Sequence, residues 1–144
     1  MTVVRATREL LAPRSDVWAY VAEPYHLSDW WPGVAGVEPD RRGLAPGARW
    51  RLVAGPKAAG PLGGFLRSPT TASTLLVLDV RAPERVHVQF VRERIDAVLT
   101  LEEAGPDRTL AALDVEGAWL RVNRALPRKA LARLHALVQT AGPS

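Results

Sequence analysis

Residues 85–118, RVHVQFVRERIDAVLTLEEAGPDRTLAALDVEGA, alternate between apolar and polar side chains. Val86, Val88 and Phe90 stand opposite Arg85, His87 and Gln89. Ile95, Ala97, Leu99 and Leu101 stand opposite Arg94, Asp96, Thr100 and Glu102. Thr109, Ala111, Leu113, Val115 and Gly117 stand opposite Asp114 and Glu116. A period of two marks strands with one face buried and the other wet. Three strands are therefore expected, over Arg85–Val91, Glu93–Glu102 and Thr109–Ala118. Gly105-Pro106-Asp107 makes the second turn.

The same period continues upstream. On Arg49–Ala54 it puts Trp50, Leu52 and Ala54 inside, and on Ala72–Arg81 it is read with Thr74, Leu76, Leu78 and Val80 inside. Ala82-Pro83-Glu84 turns the chain into the next strand, and Gly33–Asp40 adds one before the Arg42-Gly43 and Pro46-Gly47 turns. The first strand alternates Val4, Ala6, Arg8 and Leu10 with Val3, Arg5, Thr7 and Glu9. After Ala12-Pro13 a helix is expected, with Asp16 at the favourable end of its dipole. It stops near Glu23, because Pro24 disfavours helical geometry in the residue before it. A second short helix covers Tyr25 to Trp30, closed by Pro32-Gly33.

Gly55 to Pro69 is rich in Gly and Pro, has no apolar period, and reads as a loop or lid. From about Leu120 to Ala141 the period becomes helical. Leu126, Ala130, Leu131, Leu134, Leu137, Val138 and Ala141 share a face, and Pro127 either kinks this helix or begins its main part. Arg121, Arg124, Arg128, Lys129 and Arg133 group there as a solvated stripe. The fold class is α+β: a curved seven-stranded antiparallel sheet wrapped around a long C-terminal helix, with two short helices after the first strand. Residues 1–144 form a single domain.

Composition bounds the rest. The chain has 144 residues, 47% of them hydrophobic, which suits one globular core. Zero cysteines remove disulfide and thiolate chemistry. No apolar run reaches the roughly 18–20 residues of a membrane-spanning helix. The first residues lack a basic region followed by an apolar stretch, so a cytoplasmic location is expected. The net charge of +4 comes from 19 Lys+Arg against 15 Asp+Glu. These cations are spread along the chain without interleaved aromatics, so no nucleic-acid partner is expected.

Leu10, Ala12-Pro13, Val17-Trp18, Trp30, Pro32-Gly33, Pro46-Gly47 and Trp50 occur in that order before a closing amphipathic helix. This set resembles the polyketide cyclase/dehydrase and lipid-transport (SRPBCC) family of the START/Bet v 1-like superfamily, over essentially the whole chain. The resemblance implies the helix-grip fold. It leaves function open, because the superfamily includes lipid carriers, hormone receptors and aromatase/cyclases.

The expected inner face of the five strands from Arg49 to Ala118 carries no ionisable residue. Such a wall either fills a solid core or lines a pocket for a small hydrophobic or aromatic molecule, lipid- or polyketide-like, between the sheet and the C-terminal helix. The small side chains at Ala97, Ala111 and Gly117, together with the resemblance, favour the pocket. Its candidate contacts are Trp50, Leu52, Leu76, Leu78, Val88, Phe90, Ala97, Leu99, Leu113, Val115 and Leu134, with the 55–69 loop as gate. Trp30 and Trp31 are consecutive, so within a regular helix one packs and the other sits near the pocket mouth. Arg8 either snorkels to water or anchors a ligand anion, and Tyr25 and His26 are the other possible polar anchors.

Catalytic and cofactor signatures are not found. His26, His87 and His135 are too far apart in sequence for a metal-binding pair, no serine sits in a G-x-S-x-G elbow, and Gly60-Pro61-Leu62-Gly63-Gly64 lacks the ending of a phosphate loop. No catalytic residue, metal or cofactor is therefore assigned. The expected protein is a ligand-binding monomer or weak homodimer. The alternatives are an aromatase/cyclase-like enzyme, working largely by holding a reactive chain in one shape, and a ligand-free interaction module.

Overall fold

The structure, a computed structural model, describes residues 2–54, 73–121 and 123–141. The expected gate, residues 55–69, lies outside the described residues, as does Ala72. The elements run β1 (Val3–Leu10), α1 (Arg14–Ala22), a 3-10 turn (Pro24–His26), α2 (Leu27–Trp30) and β2 (Val34–Glu38). They continue β3 (Arg49–Ala54), β4 (Ser73–Arg81), β5 (Arg85–Phe90), β6 (Ile95–Gly105), β7 (Arg108–Glu116), a second 3-10 turn (Ala118–Arg121) and α3 (Leu126–Ala141).

All strand pairs are antiparallel and the sheet order is β1-β7-β6-β5-β4-β3-β2. Consecutive hairpins from β2 to β7 explain most of this order. The added step is β1, which pairs with β7 along its whole length from Val3↔Glu116 to Leu10↔Thr109. The Thr109 hydroxyl, itself buried, donates to the Ala12 carbonyl at 2.8 Å and ties that end of the sheet to the entry of α1. Pro13 stays extended, and its carbonyl accepts from the amides of Asp16 and Val17 at 3.0 and 3.1 Å, which starts α1. The helix ends where Glu23, before Pro24, takes φ −80° and ψ 112°.

The start of the last helix differs from expectation for a local reason. α3 starts at Leu126 rather than near Leu120, because Ala118–Arg121 is a separate 3-10 turn. Pro127 begins the helix rather than kinking it, as its missing N–H would have had no intrahelical partner there. Leu126, Ala130, Leu131, Leu134 and Val138 of α3 are buried, and the helix packs on β1, β7, α2 and α1. Arg121, Arg124, Arg128, Lys129 and Arg133 are all exposed.

On β4 the expected face is inverted. Ser73, Leu75 and Val77 are buried, whereas Leu76 is only half-buried and Leu78 is 39% exposed. The register shifts between Val77 and Asp79, so Val77 pairs with Val88 but Val80 pairs with Val86. This bulge moves the inward set from odd to even positions within one strand. Val80 therefore packs against the core as expected, while Leu76 and Leu78 do not.

Candidate functional site

A hollow lies between the middle of the sheet and the α1–α2 segment. Its described lining is Val21 from α1, Leu27 and Trp30 from α2, Trp31, Leu44 of the β2–β3 loop, and Trp50, Leu75, Val86, Val88, Phe90, Ala97, Leu99 and Leu113 of the sheet. None of these side chains is charged. The empty space between the walls is about 430 Å³ with its open mouth included, and the room for the centre of a water molecule is about 40 Å³. The hollow is thus narrow, closer to a slot than to a chamber.

Aromatic rings set its shape. The Trp31 indole stacks on Phe90 with centroids 4.8 Å apart and planes 29° from parallel. Trp30 meets Trp31 edge-on at 5.7 Å and 76°. Both tryptophans are buried and both line the hollow, which corrects the expectation that only one packs inward. Trp30 is the last helical residue and Trp31, at φ −88° and ψ 118°, has already left the helix. The change from helical to extended backbone turns two neighbours to the same side. Trp50 donates its indole N–H to the Gly43 carbonyl at 2.8 Å, which fixes its ring and the loop carrying Leu44. Asp40 holds the base of that loop, accepting from the backbone N–H of Arg42 at 3.0 Å and of Arg49 at 2.9 Å. The Arg49 bond is the main reason its carboxyl titrates below the usual range.

Of the candidate contacts, the structure brings Trp30, Trp31, Trp50, Val88, Phe90, Ala97, Leu99 and Leu113 together around this hollow. Leu52, Val115 and Leu134 are instead packed shut in the core, each 0% exposed. Leu76 and Leu78 face away for the reason given for β4. No described α3 residue lines the hollow, which corrects its expected position: α3 fills the core over β1 and β7, and α1–α2 form the wall facing the slot. Val21, Leu27, Leu44 and Leu75 were not among the expected contacts. Val86 was expected to point inward, although it was not singled out as a contact.

The three polar candidates do not converge here. Arg8 has inward parity, between Ala6 and Leu10, but it sits on the edge strand and stands in solvent. Tyr25 is 62% exposed. His26 is half-buried, and its Nδ1 donates to the Tyr20 carbonyl at 2.7 Å while its ring stacks on Tyr20 at 4.1 Å. The Tyr20 hydroxyl donates to Asp29 Oδ2 at 3.2 Å. Burial, with the Asp29 charge second, pushes the Tyr20 hydroxyl up to about 12. These residues fasten the turn between α1 and α2; none of them lines the hollow. Among the described residues no group of three His, Cys, Asp or Glu is placed to hold a metal ion.

The family described as polyketide cyclase/dehydrase and lipid transport matches residues 1–141. The chain belongs to this family. Solved structures share its fold at low identity. A START superfamily protein from Mycobacterium smegmatis is 15% identical, with a TM-score of 0.71 over 96% of this chain and 98% of that one. A Nitrosomonas europaea protein is 16% identical, with a TM-score of 0.71 over 96% and 95%. A point mutant of Thalictrum norcoclaurine synthase, solved with a transition-state analogue, is 17% identical, with a TM-score of 0.65 over 97% and 95%. No curated protein matches the chain. In this polyketide cyclase/dehydrase and lipid-transport family member, no described helix is long and apolar enough to cross a membrane.

Proposed function

We propose that this family member binds a small, neutral, apolar or aromatic molecule in the slot between α1–α2 and the sheet. The observation that carries this reading is the lining itself, apolar and aromatic on every described side and free of charge. Affinity comes from burying ligand surface, at roughly 25 cal/mol per Å² of apolar area. The narrow slot and the stacked Trp31–Phe90 pair favour one flat ring system over a long flexible chain. The binder is proposed as a cytoplasmic monomer or weak homodimer. A cyclase that works by acid–base chemistry would need polar groups at the substrate, and Arg8, Tyr25 and His26 do not meet at the slot.

Calorimetric titration with toluene and naphthalene tests this. The wild-type protein is expected to bind at least one of them saturably. Ala97→Leu, which adds bulk beside Val88 on the slot floor, should weaken that binding at least tenfold while the far-ultraviolet circular dichroism stays unchanged. Absence of binding to the wild type, or equal binding to the filled variant, contradicts the reading.

A further inference from the structure

The sheet ends in β2 on one side and β1 on the other, and the two edges differ. β2 is five residues long, and a bulge between Val34 and Gly36 breaks its pairing with β3. Short length and a bulge both protect a strand edge against further pairing. β1 has neither. It runs eight residues with an unshifted register from Val3↔Glu116 to Leu10↔Thr109, and it contains no proline or glycine.

The Gly117 amide donates to the Thr2 carbonyl at 2.9 Å, in register with the pairs that follow. Antiparallel strands alternate bonded and non-bonded pairs, so the even-numbered residues of β1 bond to β7. The backbone N–H and C=O groups of Val3, Arg5, Thr7 and Glu9 point the other way, and no described strand pairs with them. Their side chains share the outer face of the sheet and are all exposed. Val3 is 56% exposed, and Leu11, the first residue beyond the strand, is 41% exposed. At every second position this edge therefore reads Val3, Arg5, Thr7, Glu9, Leu11: apolar, cation, hydroxyl, anion, apolar. Reversed, the pattern is its own complement.

We propose that β1 pairs antiparallel with β1 of a second copy of this chain, about a two-fold axis through Thr7. The two Thr7 residues exchange backbone hydrogen bonds at the axis. Arg5 stands opposite Glu9 of the second copy, Glu9 opposite its Arg5, and Val3 and Leu11 cover each other. Opposite charges and apolar side chains directly across a strand pair are the stabilising combinations. Each new ion pair extends one already present. Arg5 Nε lies 3.7 Å from Asp114 Oδ1, and the Arg108 guanidinium donates to Glu9 Oε1 at 2.6 Å. Charges then alternate in sign from Asp114 through Arg5 to Glu9 and Arg108 of the second copy. Arg8, whose inward parity would otherwise guard the edge, falls opposite the small side chain of Ala6. Moving the axis by one residue loses the match. An axis at Ala6 sets Val3 against Glu9, and one at Arg8 sets two guanidinium groups against each other. The contact is isologous and closes as a dimer. No β1 residue is among the described lining of the slot, so this inference stands apart from the ligand reading.

Sedimentation velocity over a concentration series tests it. An edge of eight residues is a small interface, so the wild type is expected to pass from monomer to dimer between about 10 μM and about 1 mM. Arg5→Glu sets carboxylates against each other at two points of the interface, and Glu9→Arg sets cations against each other at the same points. Each variant alone should associate at least roughly tenfold more weakly. An equimolar mixture of the two should form a mixed dimer, because every like-charged pair then becomes an opposite one. Misfolding of either variant could not produce that recovery. Thr7→Pro, which removes an N–H facing the free edge, should also remain monomeric, with circular dichroism reporting its fold. A wild type that stays monomeric throughout overturns the proposal and leaves the edge to a strand of another protein. A dimer that persists in all three variants, or folded charge variants that fail to associate on mixing, overturns it as well.

Discussion

Gly117 shows how tightly single residues are specified here. It ends β7, and its amide donates to the Thr2 carbonyl at 2.9 Å while its α-carbon faces Ile95 and the Arg94 carbonyl. The backbone atom in this contact cannot swing aside as a flexible side chain could. Gly117→Ala should therefore destabilise the protein by about 1–3 kcal/mol, the usual cost of forcing a methyl group into a packed site. A lower midpoint in urea unfolding checks this, and an unchanged midpoint contradicts it. Tyr20 gives a second test at this scale. Its hydroxyl, at about 12, lies above the ordinary value of 10.0. Between those values the unfolded chain loses the proton first, so stability should fall as pH rises from about 10 toward 12. The sequence holds two tyrosines, so Tyr25→Phe isolates Tyr20. Its tyrosinate absorbance should appear near pH 12 in the folded protein and near 10 in denaturant. None of this was legible in the sequence. Asp29 follows Tyr20 by nine positions and Glu93 follows Ser73 by twenty, and no local pattern says that such pairs meet.

At the scale of elements, strands were legible wherever polar and apolar residues alternate, as on β3, β5, β6 and β7. β4 defeated that signal. Leu75-Leu76-Val77-Leu78 is apolar at every position, so composition cannot say which side is buried, and the bulge then shifts the parity midway. The core contributions follow from the observed parity. Leu75, 1% exposed and lining the slot, should cost about 2–5 kcal/mol when replaced by Ala. Leu78→Ser, at a site 39% exposed on the outer face, should stay within about 0.5 kcal/mol of wild type. Thermal and urea unfolding of the two variants distinguish the faces, and the reverse ranking would mean that β4 is turned over. The α2 segment misled for a related reason. Helical spacing predicts that Trp30 and Trp31 diverge, but the helix stops between them, and helix ends are poorly marked in sequence.

For the whole molecule, the order of elements was enough to indicate an antiparallel sheet with one long covering helix. The position of the hollow was not. It depends on how far α3 advances over the sheet, and α3 spends its apolar face on β1 and β7. The short helices, whose sequence marks them only as connectors after β1, then become the wall that faces Trp50, Phe90 and Leu99. The absence of charge from the described lining was legible, because alternation places the charged residues of β5, β6 and β7 on the outer face.

Methyl-resolved NMR of the protein titrated with toluene tests the central claim most directly. Saturable shifts should concentrate on the methyl groups of Val21, Leu27, Val86, Leu99 and Leu113, which line the slot. Shifts concentrated instead on Leu131, Leu134 and Val138 of α3, or no saturable shift at all, would contradict a ligand site between α1–α2 and the sheet.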